Sequence, residues 1–144
     1  MTELPTVVLD TNVLEAAFRS RRGASFAVLS LVGTERFEIA ISVPLVLEYE
    51  EVLLRRAGGA ERSEARVRDT LDYLCSVGKQ QPIYFHWRPT LPDPSDEMVL
   101  ELAVAAGCNA IVTYNRRHFR GVHTSGIRVL SPAEFLGEIG YKHE

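Results

Sequence analysis

A parallel sheet of four to five strands with helices on both sides, in one three-layer α/β/α domain, is the fold the sequence predicts. Three observations lead there. Short apolar runs rich in β-branched residues recur along the chain, each of the kind buried on both faces. A helical stretch separates one run from the next, the alternation of a parallel sheet with right-handed crossovers. The chain has 144 residues, 46% hydrophobic and 24% charged, the size and balance of one globular domain over residues 1–144 that buries a substantial core.

The first run is residues 6–9 (TVVL), and it breaks off at Asp10, Thr11 and Asn12. Residues 12–18 then read as helix and 19–23 as an exposed turn. Residues 24–32 (ASFAVLSLV) have helical spacing and no breaker, with Gly33 as the stop. Residues 37–41 (FEIAI) read as the second strand. Ser42 offers an N-cap, and Pro44 falls in a first turn, where its missing N–H does no harm. That helix runs to about Arg56, and Ala57-Gly58-Gly59 ends it. Residues 61–77 form a charged helix with Val67, Leu71 and Leu74 inward, closed by Gly78.

Residues 82–86 (PIYFH) read as a weak strand, placed at an edge by its proline. A loop over 87–94 holds three prolines. Ser95 is the expected cap of a buried helix over 96–106, stopped by Gly107. Residues 110–113 (AIVT) and 127–130 are the last strands. Ser131-Pro132-Ala133-Glu134 opens a well-capped C-terminal helix.

Bulk properties narrow the function. No apolar run approaches the roughly 20 residues that span a bilayer, so no membrane association is expected. No secretion signal stands at the N-terminus. Cys75 and Cys108 lack metal-ligand spacing and read as reduced thiols of a cytoplasmic protein. The net charge of −3 gives no bulk attraction to nucleic acid, yet the chain has 14 Arg against 2 Lys. Arg suits bidentate phosphate contact. It clusters at Arg19-Ser20-Arg21-Arg22, at Arg55-Arg56 and around Arg116-Arg117, though for any one cluster a solvated surface is the simpler reading.

Carboxylates gather where the fold would aim them. Asp10 follows the first strand, at the end where open parallel sheets hold ligands, although Asp10 or Thr11 also serves as a plain helix cap. Glu48 lies one turn into the helix after strand two, on the row of Leu45 and Val52. That row turns it toward the core, where it needs a partner such as a cation, or leaves it at the boundary with its head in water. Asp96 and Glu97 occupy a first helical turn, which the macrodipole alone would favour. Asn115 stands after the strand over 110–113, where a fourth acid would fit. Converging carboxylates suit Mg²⁺ or Mn²⁺. A Gly-rich phosphate loop and a Cys/His zinc cluster are both lacking. His86, His118 and His123 are scattered and read as surface or loop residues.

Four motifs in order, LDTNVL, SVPLVLEYEEVL, DPSDEMVLELAVAAGCNAIVTYNRRHF and GIRVLSPAEFL, make the chain resemble the PIN-domain family from about Val7 to Leu136. More narrowly it is similar to the bacterial and archaeal branch of toxins from toxin–antitoxin pairs. The resemblance implies a five-stranded parallel sheet and a ribonuclease dependent on Mg²⁺ or Mn²⁺. It assigns the family's first three acids to Asp10, Glu48 and Asp96, as metal ligands and catalytic residues. It assigns supporting polar roles to Thr11, Asn12 and Thr113.

The fourth family acid falls on Asn115, which has an oxygen for a cation but no charge. Losing that negative charge weakens metal affinity and favours one metal over two. Asp93 and Glu97 are nearby substitutes ranked below Asp96. Arg19, Arg21, Arg22 and Arg116 are candidate phosphate contacts. The implied partners are an RNA substrate, a small antitoxin protein and a second copy of the chain, with apolar helices near residues 24–32 and 43–54 as docking faces. The alternative is a catalytically weakened nucleic-acid-binding or partner-binding module.

Overall fold

The strands are β1 (Thr6–Leu9), β2 (Glu38–Ile41), β3 (Lys79–Gln80), β4 (Ala110–Val112) and β5 (Arg128–Leu130). The helices are α1 (Thr11–Arg19), α2 (Ala24–Leu31), α3 (Val43–Ala57), α4 (Glu61–Val77), α5 (Pro94–Ala105) and α6 (Pro132–Glu138), with a 3₁₀ turn at Arg116–Phe119. These come from a computed structural model that describes residues 3–83, 93–119 and 126–142. The five strands form one sheet in the order β3-β2-β1-β4-β5, and every pairing is parallel.

This order carries the predicted α/β/α layering. From β1 the chain steps through β2 to β3 at one edge. It then jumps back past both to β4 and continues to β5. Right-handed crossovers put α1 to α4 on one face and α5 on the other. The packing agrees: α1 lies on α2 and α3, and α3 lies on α4, whereas α5 lies chiefly on β1 and β4. The chain therefore leaves β1 toward one face and β4 toward the other. Their carboxyl ends flank the topological switch point, where open α/β sheets take ligands.

The apolar strands are buried as their composition requires. Val7 and Val8 are 0% exposed and Leu9 1%, so β1 is covered on both faces by side chains that lose their water. Phe37 and Phe135 meet edge to face, with ring centres 4.9 Å apart, and join the end of the chain to β2. The expected stop of α2 at Gly33 holds. Gly33 is left-handed (φ 83°), and a Cβ there would collide with the Tyr73 hydroxyl, which donates to the Val32 carbonyl at 2.9 Å.

Two local expectations are corrected. The third strand lies at Lys79–Gln80, ahead of residues 82–86. Gln81 still donates to the Ile41 carbonyl at 2.8 Å, but Pro82 has no N–H and the ladder stops there. Residues 84–86 of that expected strand, the loop up to Pro92, and His86 and His123 lie outside the described residues. The cap of α5 is Asp93, which accepts from the Ser95 backbone N–H at 2.9 Å. Pro94, a residue suited to the first helical position, follows that cap, so Ser95 lies inside the helix. Among the described residues no helix is long and apolar enough to cross a membrane.

Candidate active site

Asp10 emerges from β1 at the switch point and is 6% exposed. Its backbone N–H donates to the Val112 carbonyl at 2.9 Å, which clamps β1 to β4 at the rim. One carboxylate oxygen accepts from the Thr11 backbone N–H at 2.8 Å and caps α1. The other accepts from the Thr113 hydroxyl at 2.8 Å and from the Asn12 amide at 3.3 Å. Capping and site-building are thus one arrangement here. Burial pushes the Asp10 carboxyl up to about 6, against the pull of the Thr113 and Thr11 hydrogen bonds, and the negative charges of Asp96 and Glu48 add to the rise.

Thr113 is fully buried. Its hydroxyl donates to Asp10 and accepts from the Asn12 amide at 3.2 Å and from the Asn115 backbone N–H at 3.0 Å. Asn12 in turn accepts from the Tyr114 backbone N–H at 3.2 Å. The Thr-Tyr-Asn turn after β4 is therefore fastened to the turn after β1. Tyr114, half exposed, shares a 2.6 Å hydrogen bond with the buried Ser25 hydroxyl of α2. Asn115 lies exposed at this rim, and among the described residues its side chain makes no hydrogen bond.

Glu48 is half-buried, as its helical row predicts, and its partner is Thr11, whose hydroxyl donates to it at 2.5 Å. The next residue, Tyr49, is buried and donates its hydroxyl to the Leu9 carbonyl, pinning α3 to the end of β1. Burial, with Asp10 and Glu48 nearby, holds that phenol well above its ordinary range. Asp96 comes from the first turn of α5 and is 6% exposed. Its carboxylate lies 3.0 Å from Nδ1 of His118 in the 3₁₀ turn. Burial raises the Asp96 carboxyl, His118 lowers it, and Asp93 and Glu48 raise it further.

Asp10, Glu48 and Asp96 thus lie near enough to feel one another's charge, each on a different element. Among the described residues no three acidic, His or Cys groups gather as a ready-made metal cage. Such an open set of hard oxygen donors suits a cation that keeps several waters and takes one or two carboxylates. Of the substitutes, Glu97 is buried and Asp93 is an exposed cap.

The arginines divide. Arg116 is held by both carboxylate oxygens of Glu134, at 2.9 Å each, which ties the 3₁₀ turn to α6. Arg19 ends α1, and Arg21 and Arg22 are exposed in the turn that follows. Arg117 is exposed and makes no ion pair among the described residues.

The PIN domain family profile matches residues 6–117. The chain belongs to the PIN domain family. Members of that family are generally nucleases that use divalent metal ions. Among solved structures, the fold is similar to that of VapBC2 from Rickettsia felis bound to a DNA fragment from their promoter. That match has a TM-score of 0.58 at 14% identity and covers 88% of this chain and 98% of the other. Comparison with curated proteins gives no match.

Two site residues of this PIN domain are not singled out by the sequence. His118 reads as a surface histidine until α5 folds back on the 3₁₀ turn, and no local spacing announces its pairing with Asp96. Tyr49 is easily passed over beside Glu48. A tyrosine on the inner face of a helix does call for a partner for its hydroxyl, and that is the available signal.

Proposed function

We propose that this PIN domain is a Mg²⁺- or Mn²⁺-dependent endoribonuclease, the toxin of a toxin–antitoxin pair. The observation that carries the reading is Asp10, a buried carboxylate at the switch point, with the charges of Glu48 and Asp96 close enough to raise its pKa. Uncompensated, three such groups repel one another, and a cation relieves the repulsion. Asp10, Glu48 and Asp96 would hold it, and the Asn115 amide oxygen would complete the set without adding charge. When bound, such a cation acidifies water beside it and offsets charge on the phosphate and the leaving oxygen.

The chain's own part is positioning. Thr113 and Asn12 fix the direction of the Asp10 carboxylate, Thr11 fixes Glu48, and His118 fixes Asp96. Arg19, Arg21 and Arg22 would meet phosphates of the RNA. Arg116, with Glu134 on its Nη1, would offer a phosphate its remaining donors. The likeness to VapBC2 supports a small antitoxin as partner. The apolar faces of α2 and α3 are offered to it or to a second copy of the chain, in a cytoplasmic setting.

Cleavage of single-stranded RNA by wild type and Asp10→Asn, with and without Mg²⁺, tests this. Cleavage by wild type alone, and only with the cation, is expected. Equal cleavage by both overturns the assignment.

Asn115 favours a second reading, a weakened module that binds nucleic acid without cutting it. Calorimetry that detects no Mg²⁺ or Mn²⁺ binding at millimolar metal, from a chain that still binds RNA, would select it.

A further inference from the structure

Two rows of side chains face each other where α1 lies against α3. On α1 the row is Thr11, Glu15 and Arg19, each four residues from the last. On α3 it is Glu48, Val52 and Arg56. The rows are tied rung by rung: Thr11 donates to Glu48 at 2.5 Å, and Arg56 pairs with Glu15 at 3.2 Å. Charge changes sign along them, from carboxylate at the candidate active site to guanidinium at the far end.

At that far end is a cavity of about 170 Å³, lined by Phe18, Arg19, Leu53, Arg56, Ser63 and Arg66 among others, and no carboxylate lines it. Two of its three guanidiniums are held in place. Arg66 lies 4.4 Å over the Phe18 ring, and Arg56 is anchored by Glu15. A guanidinium has five N–H donors. One ring face and one carboxylate leave most of those donors without a protein acceptor among the described residues. Arg19 makes no ion pair there. Ser63 lies in the first turn of α4, whose N-cap Ala60 supplies no side-chain hydrogen bond, and the two acids of that turn, Glu61 and Glu64, do not line the cavity.

We infer that this cavity holds a backbone phosphate of a single RNA strand whose scissile phosphate lies at the carboxylate cluster. Eight residues of α3 separate Glu48 from Arg56, about 12 Å along the axis. That reach corresponds to about two to four nucleotides. The strand runs along the α1–α3 seam, and its length sets how much of the seam it fills. The identity of the polyanion rests on the ribonuclease reading, whereas the cavity and its charge do not.

The test is binding of short and long single-stranded RNA oligonucleotides to the full chain by fluorescence anisotropy, without divalent cation, over a salt series. The variants are Arg19→Gln with Arg66→Gln, Arg19→Gln alone, and Arg55→Gln as the control that matches the single variant in charge loss. Arg55 is exposed and pairs with Glu51 away from the cavity. The double variant is expected to bind the long oligonucleotide about tenfold more weakly, with a log Kd against log salt slope lower by about 0.7 for each phosphate no longer neutralised. It should bind the short one as wild type does, and Arg55→Gln should match wild type with both.

Unchanged affinity and slope in the double variant overturn the inference, as does an equal loss in Arg55→Gln or a wild type that binds no RNA. If the double variant does not fold, Arg19→Gln alone, at an exposed helix end, serves the same comparison. A cavity that instead takes an acidic peptide of a partner leaves RNA binding untouched, and the inference falls. Asp10→Asn reports on cleavage and not on this binding, so either reading can fail while the other stands.

Discussion

Asp10 and Asp96 are both 6% exposed, yet they are held in opposite ways. Asp10 receives neutral donors from Thr11, Asn12 and Thr113, all at the paired ends of β1 and β4. Asp96 faces one imidazole, whose own side chain is 48% exposed. The first carboxylate is fixed by the sheet, and changing its surroundings disturbs the fold. The second is fixed by a surface residue and is adjustable without cost to the core. In the cation site proposed for these carboxylates, the rigid half would set geometry and the soft half affinity.

Replacing Asp10 by Asn probes the rigid half hardest. RNA cleavage is expected to fall by a factor on the order of 10²–10³ while the chain stays folded. The same substitution carries a pH signature. Asp10 titrates at about 6 when folded, against an ordinary value of 3.8. Between those values the folded chain holds the extra proton, so stability of the metal-free protein falls as pH rises from about 4 to about 6. The gap sets an upper limit of about 3 kcal/mol. Urea denaturation across that range should show the fall in wild type and a flatter profile in Asp10→Asn. Identical profiles would remove Asp10 as its source.

Thr113→Val comes next. It removes the strongest pull on the Asp10 carboxyl and leaves buried acceptors short of a donor, at a cost of about 1–3 kcal/mol. The pH slope should steepen. A variant as stable as wild type would mean that Asn12 suffices. Tyr49→Phe deprives the Leu9 carbonyl of its phenol and should cost about 1 kcal/mol in the same assay, with the pH slope retained.

His118→Ala is the mildest and the most informative about the soft half. The bond is partly exposed, so stability should change by less than about 0.5 kcal/mol. The Asp96 carboxyl should move further up, read by NMR titration, and Mg²⁺ affinity should weaken about tenfold. Tight Mg²⁺ binding that survives the substitution would show that Asp96 needs no orienting partner.

The rigid half is largely legible in the sequence. An apolar strand that stops on Asp-Thr-Asn, and another that stops on Thr-Tyr-Asn, carry their polar groups in adjacent residues, and parallel pairing brings the two ends together. Glu48 is legible for a similar reason, since Leu45 and Val52 share its helical row. The family resemblance adds the correspondence of Asp96, which the residues alone leave as a first-turn acid favoured by the helix dipole.

What escapes depends on packing between distant parts of the chain. His118 reaches Asp96 only through the packing of α5 against the 3₁₀ turn. The cavity arginines come from three helices, and Arg66 looks like one more charge on a solvated face. The third strand is misplaced because hydrophobicity favours 82–86, whereas pairing requires free N–H groups and ends before the proline.

Among the described residues, that displaced strand leaves the β3 border of the sheet only two residues long. Lys79 on it pairs with Glu38 at 2.7 Å, and a proline follows almost at once. So short and charged a margin gives a stray extended peptide almost no template for zipping on, a common safeguard against aggregation. Proteins that recognise this chain from the β3 side will have to read side chains rather than borrow its backbone.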